Sequence, residues 1–243
     1  MSDVDHYQGL EYWGPLSAAK VSGLLSQADL GPGARAVDVG CGRGGLLLEL
    51  AERFGARGVG LDHSAAALEL ARAAFRAQAP DAECEWIEGA ASDYSPLPES
   101  FDFVSWIGGP YLGEDLASTV ETLVGWLKPR GYLLLGHGFW ASPPPEAYLA
   151  ATGIEAREFG EHWETIVLAE GAGLRLQTCY VSGRDEWDHF EGTILANSER
   201  YALAHPEAPD PSGRLQQRRD WNLAQQRWGR DAMGFGLYLL RRG

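Results

Sequence analysis

Two rhythms of apolar and polar positions alternate along the chain. Short, mostly apolar runs stand at 36–39, 58–61, 84–87, 103–107 and 132–136. Between them, apolar residues recur every three or four positions. Leu46, Leu47, Leu50 and Phe54 form one stripe, and Leu68, Leu70, Ala71, Ala74 and Phe75 a second. Leu116, Val120, Leu123, Val124 and Leu127 form a third, at the i, i+4, i+7, i+8, i+11 spacing of one helix face. Runs buried on both faces, alternating with amphipathic helices, predict a parallel sheet covered on its two sides. An earlier helix is predicted over 15–29, with Leu16, Ala19, Val21, Leu24 and Leu25 as an imperfect apolar face, and Gly31-Pro-Gly33 ends it.

The regularity fades after the fifth run. Ser142-Pro-Pro-Pro145 reads as a stiff connector, 156–172 as a helix and 174–181 as a sixth strand. Residues 183–231 shift in composition to Trp, Arg, Glu, Gln and His and read as a helical insertion. The chain closes with a last strand over 234–240. The expected fold is a single α/β domain over 1–243, doubly wound and Rossmann-like. Its sheet has seven strands, mostly parallel, with an antiparallel last strand entering after the insertion. Within it, 1–30 forms an N-terminal helical cap, 31–182 the cofactor-binding core, 183–231 the insertion or lid, and 232–243 the final strand.

Composition narrows the function. The 243 residues are 45% hydrophobic and 22% charged, which is ordinary for a globular chain. The formal net charge of −14 argues against nucleic acid or an anionic membrane as partner, since binding phosphates needs a basic surface. One basic stretch, Arg214 to Arg230, places Trp221 and Trp228 seven apart on one helical face, with Arg218, Arg219, Arg227 and Arg230 around it. Asp220 and Asp231 interrupt it, so it reads as a packing or lid helix with Arg stems over apolar surface rather than as a nucleic-acid platform. Cys41, Cys84 and Cys179 form neither CxxC nor a Cys/His cluster, so neither a zinc site nor a disulfide scaffold is indicated, and their odd count and wide spacing fit a reducing cytoplasm. The N-terminus lacks the basic region and apolar run of a signal peptide, and no stretch approaches the roughly 20 apolar residues of a membrane span. The expectation is a cytoplasmic protein with a small-molecule substrate and no metal. Its oligomeric state stays open, a homodimer included.

The chemistry centres on Asp38-Val-Gly-Cys-Gly-Arg-Gly44, where the first strand turns into a helix. Glycines let the backbone turn sharply and approach a ligand without Cβ interference, and the helix N-terminus offers free N–H groups to a carboxylate. Gly40, Gly42 and Gly45 also satisfy GxGxxG, the dinucleotide fingerprint, and Asp62 at the end of strand two suits either ligand, because ribose hydroxyls donate to an acid there in both. Three features favour S-adenosylmethionine: Asp38 two residues before the first glycine, Leu127-Lys-Pro-Arg-Gly131 before strand five, and the last strand following a long excursion.

Val37-Asp-Val-Gly-Cys-Gly-Arg-Gly44, Gly60-Leu-Asp62, Phe101-Asp-Phe-Val104 and Leu127-Lys-Pro-Arg-Gly131 resemble the motif series of class I S-adenosylmethionine-dependent methyltransferases over roughly residues 30–140. The later segments Gly136-His-Gly-Phe-Trp140, Glu186-Trp-Asp-His-Phe-Glu191, and Trp228-Gly-Arg-Asp231 with Gly234-Phe-Gly-Leu-Tyr238, resemble a bacterial small-molecule subgroup of that superfamily. The resemblance implies S-adenosylmethionine as donor, with S-adenosylhomocysteine as product. It implies that Asp38, Gly40, Cys41, Gly42 and Gly44 surround the methionine moiety, Cys41 as a small residue between glycines and not as a nucleophile. Asp62 takes the ribose hydroxyls, His63 flanks the adenine, Ala90 and Ala91 lie at its edge, and Trp106 and Ile107 close the pocket near the sulfonium. One departure stands out: Ala90 occupies the place where the family often has an acid that contacts the adenine amino group, and Asp93 is offset from it.

Methyl transfer needs alignment and exclusion of water, and a base only where the acceptor must lose a proton. His137, at the carboxyl edge of strand five, is the candidate base, since its ordinary pKa suits proton transfer at neutral pH. Phe139, Trp140, Tyr111, Trp187, Tyr12 and Trp13 are the candidate acceptor contacts. Other functions stay open on sequence alone: a nicotinamide-dependent oxidoreductase, an S-adenosylmethionine-binding protein without catalysis, and a tRNA or protein methyltransferase, the last disfavoured by the net charge and the lack of an appended recognition domain.

Overall fold

The computed structural model describes residues 1–208 and 211–243. In chain order its elements are α1 (Asp3–His6), α2 (Ala18–Leu25), β1 (Arg35–Val39), α3 (Gly45–Phe54), β2 (Arg57–Asp62), α4 (Ala65–Gln78), β3 (Cys84–Glu88), β4 (Phe101–Ile107), α5 (Leu116–Trp126), β5 (Leu127–Trp140), α6 (Glu146–Thr152), α7 (His162–Gly171), β6 (Leu174–Val181), α8 (Arg184–Ala204), α9 (Pro211–Ala224), α10 (Arg230–Ala232) and β7 (Met233–Arg242).

The seven strands form one sheet in the order β3-β2-β1-β4-β5-β7-β6. β1 pairs in parallel with β2 and β4, β2 with β3, and β4 with β5. β7 runs against its neighbours. Ala141 N–H donates to the Ala232 carbonyl and Arg241 Nε to that of Arg130, so rising numbers in β7 meet falling numbers in β5. Ser182 N–H to Phe235 O and Gly243 N–H to Gly173 O set the same sense against β6. This is the expected seven-stranded, mostly parallel sheet with an antiparallel last strand. The strand order turns around between β1 and β4, and ligands of open α/β sheets bind outside the carboxyl ends of the strands at such a point.

The chain groups into two compact units. One contains Met1–Ser17, Gly138–His162 and Val181–Phe235; the other contains Ala18–His137, Trp163–Tyr180 and Gly236–Gly243. The second unit is built on a core of Val37, Val39, Val59, Leu61, Val104, Trp106, Leu133 and Leu135 from the parallel strands, with Val120, Leu123 and Trp126 of α5 against them. In the first unit, Trp140, Tyr148 and Ala224 form a smaller core flanked by Phe159, Trp228 and Met233. There Asn197 of α8 donates to the carbonyls of His6 and Gln8, and Glu186 accepts from the Ser17 and Gly183 amides, which ties the N-terminal segment to α8.

Several boundaries differ from the sequence pattern. The helix expected over 15–29 is Ala18–Leu25. The one expected over 156–172 divides into a single 3-10 turn at Ala156–Glu158 and α7. β5 is 14 residues long, because both ends find partners that a local reading cannot see: Leu127 pairs with Phe101, and the far end meets β7. Residues 183–231 resolve into α8, α9 and a π-helical turn at Gln225–Gly229. The wider i→i+5 turn breaks the seven-residue repeat, so Trp221 and Trp228 do not share one helical stripe. Trp228 packs with the Trp140 core and lies under the Arg227 guanidinium, while Trp221 lines a cavity beside Arg218 and Tyr201.

Candidate active site

The loop after β1 is held open by three glycines in the left-handed region, Gly40 (φ 75°), Gly42 (φ 51°) and Gly44 (φ 76°). They serve different ends. A Cβ at Gly40 would meet nothing within 4 Å, so its backbone borders open space. A Cβ at Gly44 would lie 2.8 Å from Trp86 and 3.0 Å from Ala71, so Gly44 lets the turn pack against β3 and α4. Gly60 of β2 is tied to the same packing, because a Cβ there would lie 2.6 Å from Trp86 and 2.9 Å from Cys41 Sγ. The sequence motif makes all three loop glycines look like ligand contacts, whereas packing accounts for the third.

Asp62 ends β2 and locks this loop. Its Oδ2 accepts from the Gly42 amide at 2.8 Å and its Oδ1 from the Ser64 amide at 2.9 Å. The helix cap of α4 is Ser64, whose hydroxyl accepts from Ala67 N–H. Asp62 is therefore not spent on capping, and its two carboxylate oxygens keep lone pairs for further donors. His63 is largely exposed, with Nδ1 3.6 Å from Asp62.

Asp38 lies one residue before the carboxyl end of β1, buried, and its Oδ1 accepts from Ser105 Oγ at 2.6 Å. Removal from water pushes its pKa up to about 7; the Ser105 hydrogen bond opposes that shift and the neighbouring Asp62 charge adds to it. Ser105 belongs to none of the sequence motifs. The signal for it is one hydroxyl inside the otherwise apolar run Phe103–Ile107. Cys41 is buried, and burial together with the nearby Asp38 and Asp62 charges pushes its thiol far up, so it is no nucleophile.

Past β3, Gly89 N–H donates to the Asp62 carbonyl and starts the turn that carries Ala90 and Ala91. Ala90 is exposed and Ala91 half-buried, and Asp93 follows in a single 3-10 turn.

Beyond β4, Gly108-Gly109-Pro110 folds back on Trp106. The Trp106 indole donates to the Pro110 carbonyl at 3.0 Å, and a Cβ at Gly109 would come within 3.1 Å of that indole nitrogen. The turn returns Tyr111 to the strand end, where its ring stacks on Trp106 at 6.0 Å. On β5, Gly136 pairs with Ile107, and His137 follows it. His137 is buried and stacks on the other neighbour of the trio, Trp106, at 6.0 Å, with its Nε2 3.1 Å from the Tyr111 hydroxyl. Trp106, Tyr111 and His137 thus come together at the carboxyl ends of β4 and β5, with Ile107 half-buried beside them.

The other aromatic candidates lie in the first unit. Phe139 is buried with its ring edge on His162, and Trp140 is buried against Tyr148 and Phe159 while its indole donates to the Ala156 carbonyl. Trp13 stacks on Tyr7, Tyr7 on Phe190, and Trp187 meets Phe190 edge-on; Tyr12 is half-buried. Glu191, on the same face of α8 as Trp187, is buried in an ion pair with Arg218. Asp188 pairs with Arg230 at 2.9 Å, and His189 is exposed. Among the described residues no cluster of His, Cys, Asp or Glu could hold a metal, and no helix is long and apolar enough to cross a membrane.

The fold is that of the class I methyltransferases: the parallel half-sheets wound about β1, the glycine loop and acid at its switch point, and the antiparallel β7 inserted between β5 and β6. Residues 36–131 match the family described as "Methyltransferase domain". Over nearly its whole length the chain resembles the uncharacterized protein YjhP of Escherichia coli K12, with 26% identity over 233 residues, covering 93% of this chain and 92% of that one. A crystal structure of a SAM-dependent methyltransferase from Thiobacillus denitrificans, in complex with S-adenosyl-L-homocysteine, superposes with a TM-score of 0.89 at 24% identity, covering 99% of this chain and 98% of the other. That of a SAM-dependent methyltransferase from Geobacter sulfurreducens, also with S-adenosyl-L-homocysteine, gives 0.90 at 22%, covering 99% and 97%.

Proposed function

We propose that the protein transfers a methyl group from S-adenosylmethionine to a small-molecule acceptor. The observation that carries this reading is the loop after β1: Gly40 borders open space in a left-handed conformation, and Asp62 grips Gly42 and keeps spare lone pairs. A dinucleotide fold lacks the antiparallel strand between its fifth and last strands, which weighs against the oxidoreductase reading.

The residues fit the donor. Gly40, Cys41 and Gly42 would border its methionine part, with the Asp38 carboxyl below. Asp62 would accept from its ribose hydroxyls, and His63, Ala90 and Ala91 would flank its adenine. Trp106 and Ile107 would close the pocket. The bound donor supplies a methyl group on a positively charged sulfur, already activated for displacement. The chain's own part is to fix the direction of approach, exclude water and accept the acceptor's proton where there is one. His137 is the group for that last task, and Tyr111 contributes to the acceptor's side of the pocket. Phe139, Trp140, Trp187, Tyr12 and Trp13 stay the proposed contacts for an apolar or aromatic acceptor, although Phe139 and Trp140 are buried in the first unit. The absence of an acid at Ala90 leaves adenine recognition to backbone groups.

Calorimetry with S-adenosylhomocysteine and with reduced nicotinamide dinucleotide tests the donor. Binding of the first and not the second is expected, and the reverse would overturn the reading. Turnover of a labelled methyl donor over a metabolite panel separates an enzyme from a binding protein.

A further inference from the structure

His137 is 5% exposed, whereas Tyr111, directly beside it, is 38% exposed. The Nε2 edge of the imidazole is taken by the Tyr111 hydroxyl at 3.1 Å. The surroundings hold this pair in place: Trp106, 1% exposed, stacks on both rings, and its indole is bonded to the Pro110 carbonyl that precedes Tyr111. Of the two rings the phenol belongs to the more exposed residue and the imidazole to the buried one.

We propose that Tyr111 and His137 act as a proton relay, with the Tyr111 hydroxyl meeting the acceptor, and that the acceptor is a phenolic hydroxyl. This rests on the methyl-transfer reading. The chemistry selects the class. Tyr111 gains one proton as it loses another, so the cost is set by the acceptor against the imidazole that ends with the proton. A phenol, with an ordinary pKa of about 10 like tyrosine's, lies within reach of it, whereas an aliphatic alcohol holds its proton far more tightly. Carboxylic acids are ionised at neutral pH and need no relay.

The step balances. The acceptor O–H bond breaks and its proton goes to Tyr111 Oη. The Tyr111 O–H bond breaks and that proton goes to His137 Nε2, which becomes part of an imidazolium. The electron pair freed on the acceptor oxygen forms the new O–C bond to the methyl carbon as the S–C bond breaks, its pair left on sulfur. One positive charge leaves the sulfonium and one appears on the imidazole.

The experiment compares Tyr111→Phe with the unaltered protein over a series of phenols, from nitrophenols already ionised in slightly alkaline buffer to alkylphenols that are not. The relay predicts a loss of kcat/KM of about 100-fold for alkylphenols, shrinking towards none for nitrophenols. An equal loss across the series, or none, overturns it, as does failure of the unaltered protein to methylate any phenol while it binds S-adenosylhomocysteine. A protein that does not bind S-adenosylhomocysteine overturns the methyl-transfer reading instead. Nitrogen-15 spectra of the His137 ring give a second measurement that needs no acceptor. Nε2 is expected as the unprotonated, accepting nitrogen, with a shift that moves in Tyr111→Phe; a protonated Nε2 that is unchanged in the variant refutes the relay.

Discussion

Replacing Asp38 by Asn changes how stability depends on pH, and the structure gives the size of the change. The Asp38 carboxyl is buried in β1, and its pKa stands at about 7 in place of the ordinary 3.8. Between those values the unfolded chain has released this proton and the folded chain still holds it. Folding therefore takes up a proton in that window, and stability falls as pH rises through it, levelling off above about 7. At about 1.4 kcal/mol per pKa unit, the full excursion is about 4 kcal/mol. Asn has nearly the same shape, keeps an oxygen to accept from Ser105 Oγ, and cannot ionise. Titrating groups that do not interact with Asp38 are common to both proteins and cancel in their difference; the coupled Asp62 contributes the smaller remainder. Urea unfolding followed through the fluorescence of the nine tryptophans, at intervals from mildly acid to mildly alkaline pH, yields that difference. Asp38→Asn should gain on the unaltered protein steadily through the window, by about 4 kcal/mol in all. Parallel pH curves for the two proteins would show that Asp38 ionises in the fold as it does in water, and would refute the reasoning.

Three further outcomes follow from the same contacts. Asp62→Ala leaves the Gly42 and Ser64 amides without their acceptor, which should weaken S-adenosylhomocysteine binding by roughly 10- to 100-fold in calorimetry, at about 1–3 kcal/mol per lost buried bond. Gly40→Ala meets open space and costs only the left-handed strain of about 1–2 kcal/mol, so its binding loss should exceed its stability loss; Gly44→Ala adds a clash with Trp86 and Ala71 and should cost about 3 kcal/mol in urea unfolding. Arg218→Ala strands Glu191, whose pKa burial already pushes up, and should destabilise the protein by about 3 kcal/mol; joint replacement of both by Met should recover most of that loss.

The strands and the glycine loop were legible because their signals are local. The runs at 36–39, 58–61, 84–87 and 103–107 each lie within a residue or two of β1 to β4. Strands covered on both faces are mostly apolar, and that pattern survives without knowledge of their partners, even at the half-buried edge strand β3. β5 was underread because Lys128-Pro129-Arg130 is polar and turn-like, and only pairing with Phe101 at one end and β7 at the other makes it strand. The seven-residue spacing of Trp221 and Trp228 misled because a π-turn depends on what packs around it: Gln225, buried and bonded to the Tyr148 hydroxyl, sits where the helix widens.

The sequence by itself determined the order of strands and helices, the acid-and-glycine turn after β1 and the acid that ends β2. Each depends on backbone freedom or on burial of a contiguous segment, and both are written in neighbouring residues. Only the tertiary structure decided which glycine borders open space and which is packing, that Ser105 supports Asp38, and that Tyr111 meets His137. Those pairs are separated by 67 and 26 residues. Their meeting depends on strands laid side by side and on a turn folded back over Trp106, so no local pattern along the chain encodes it.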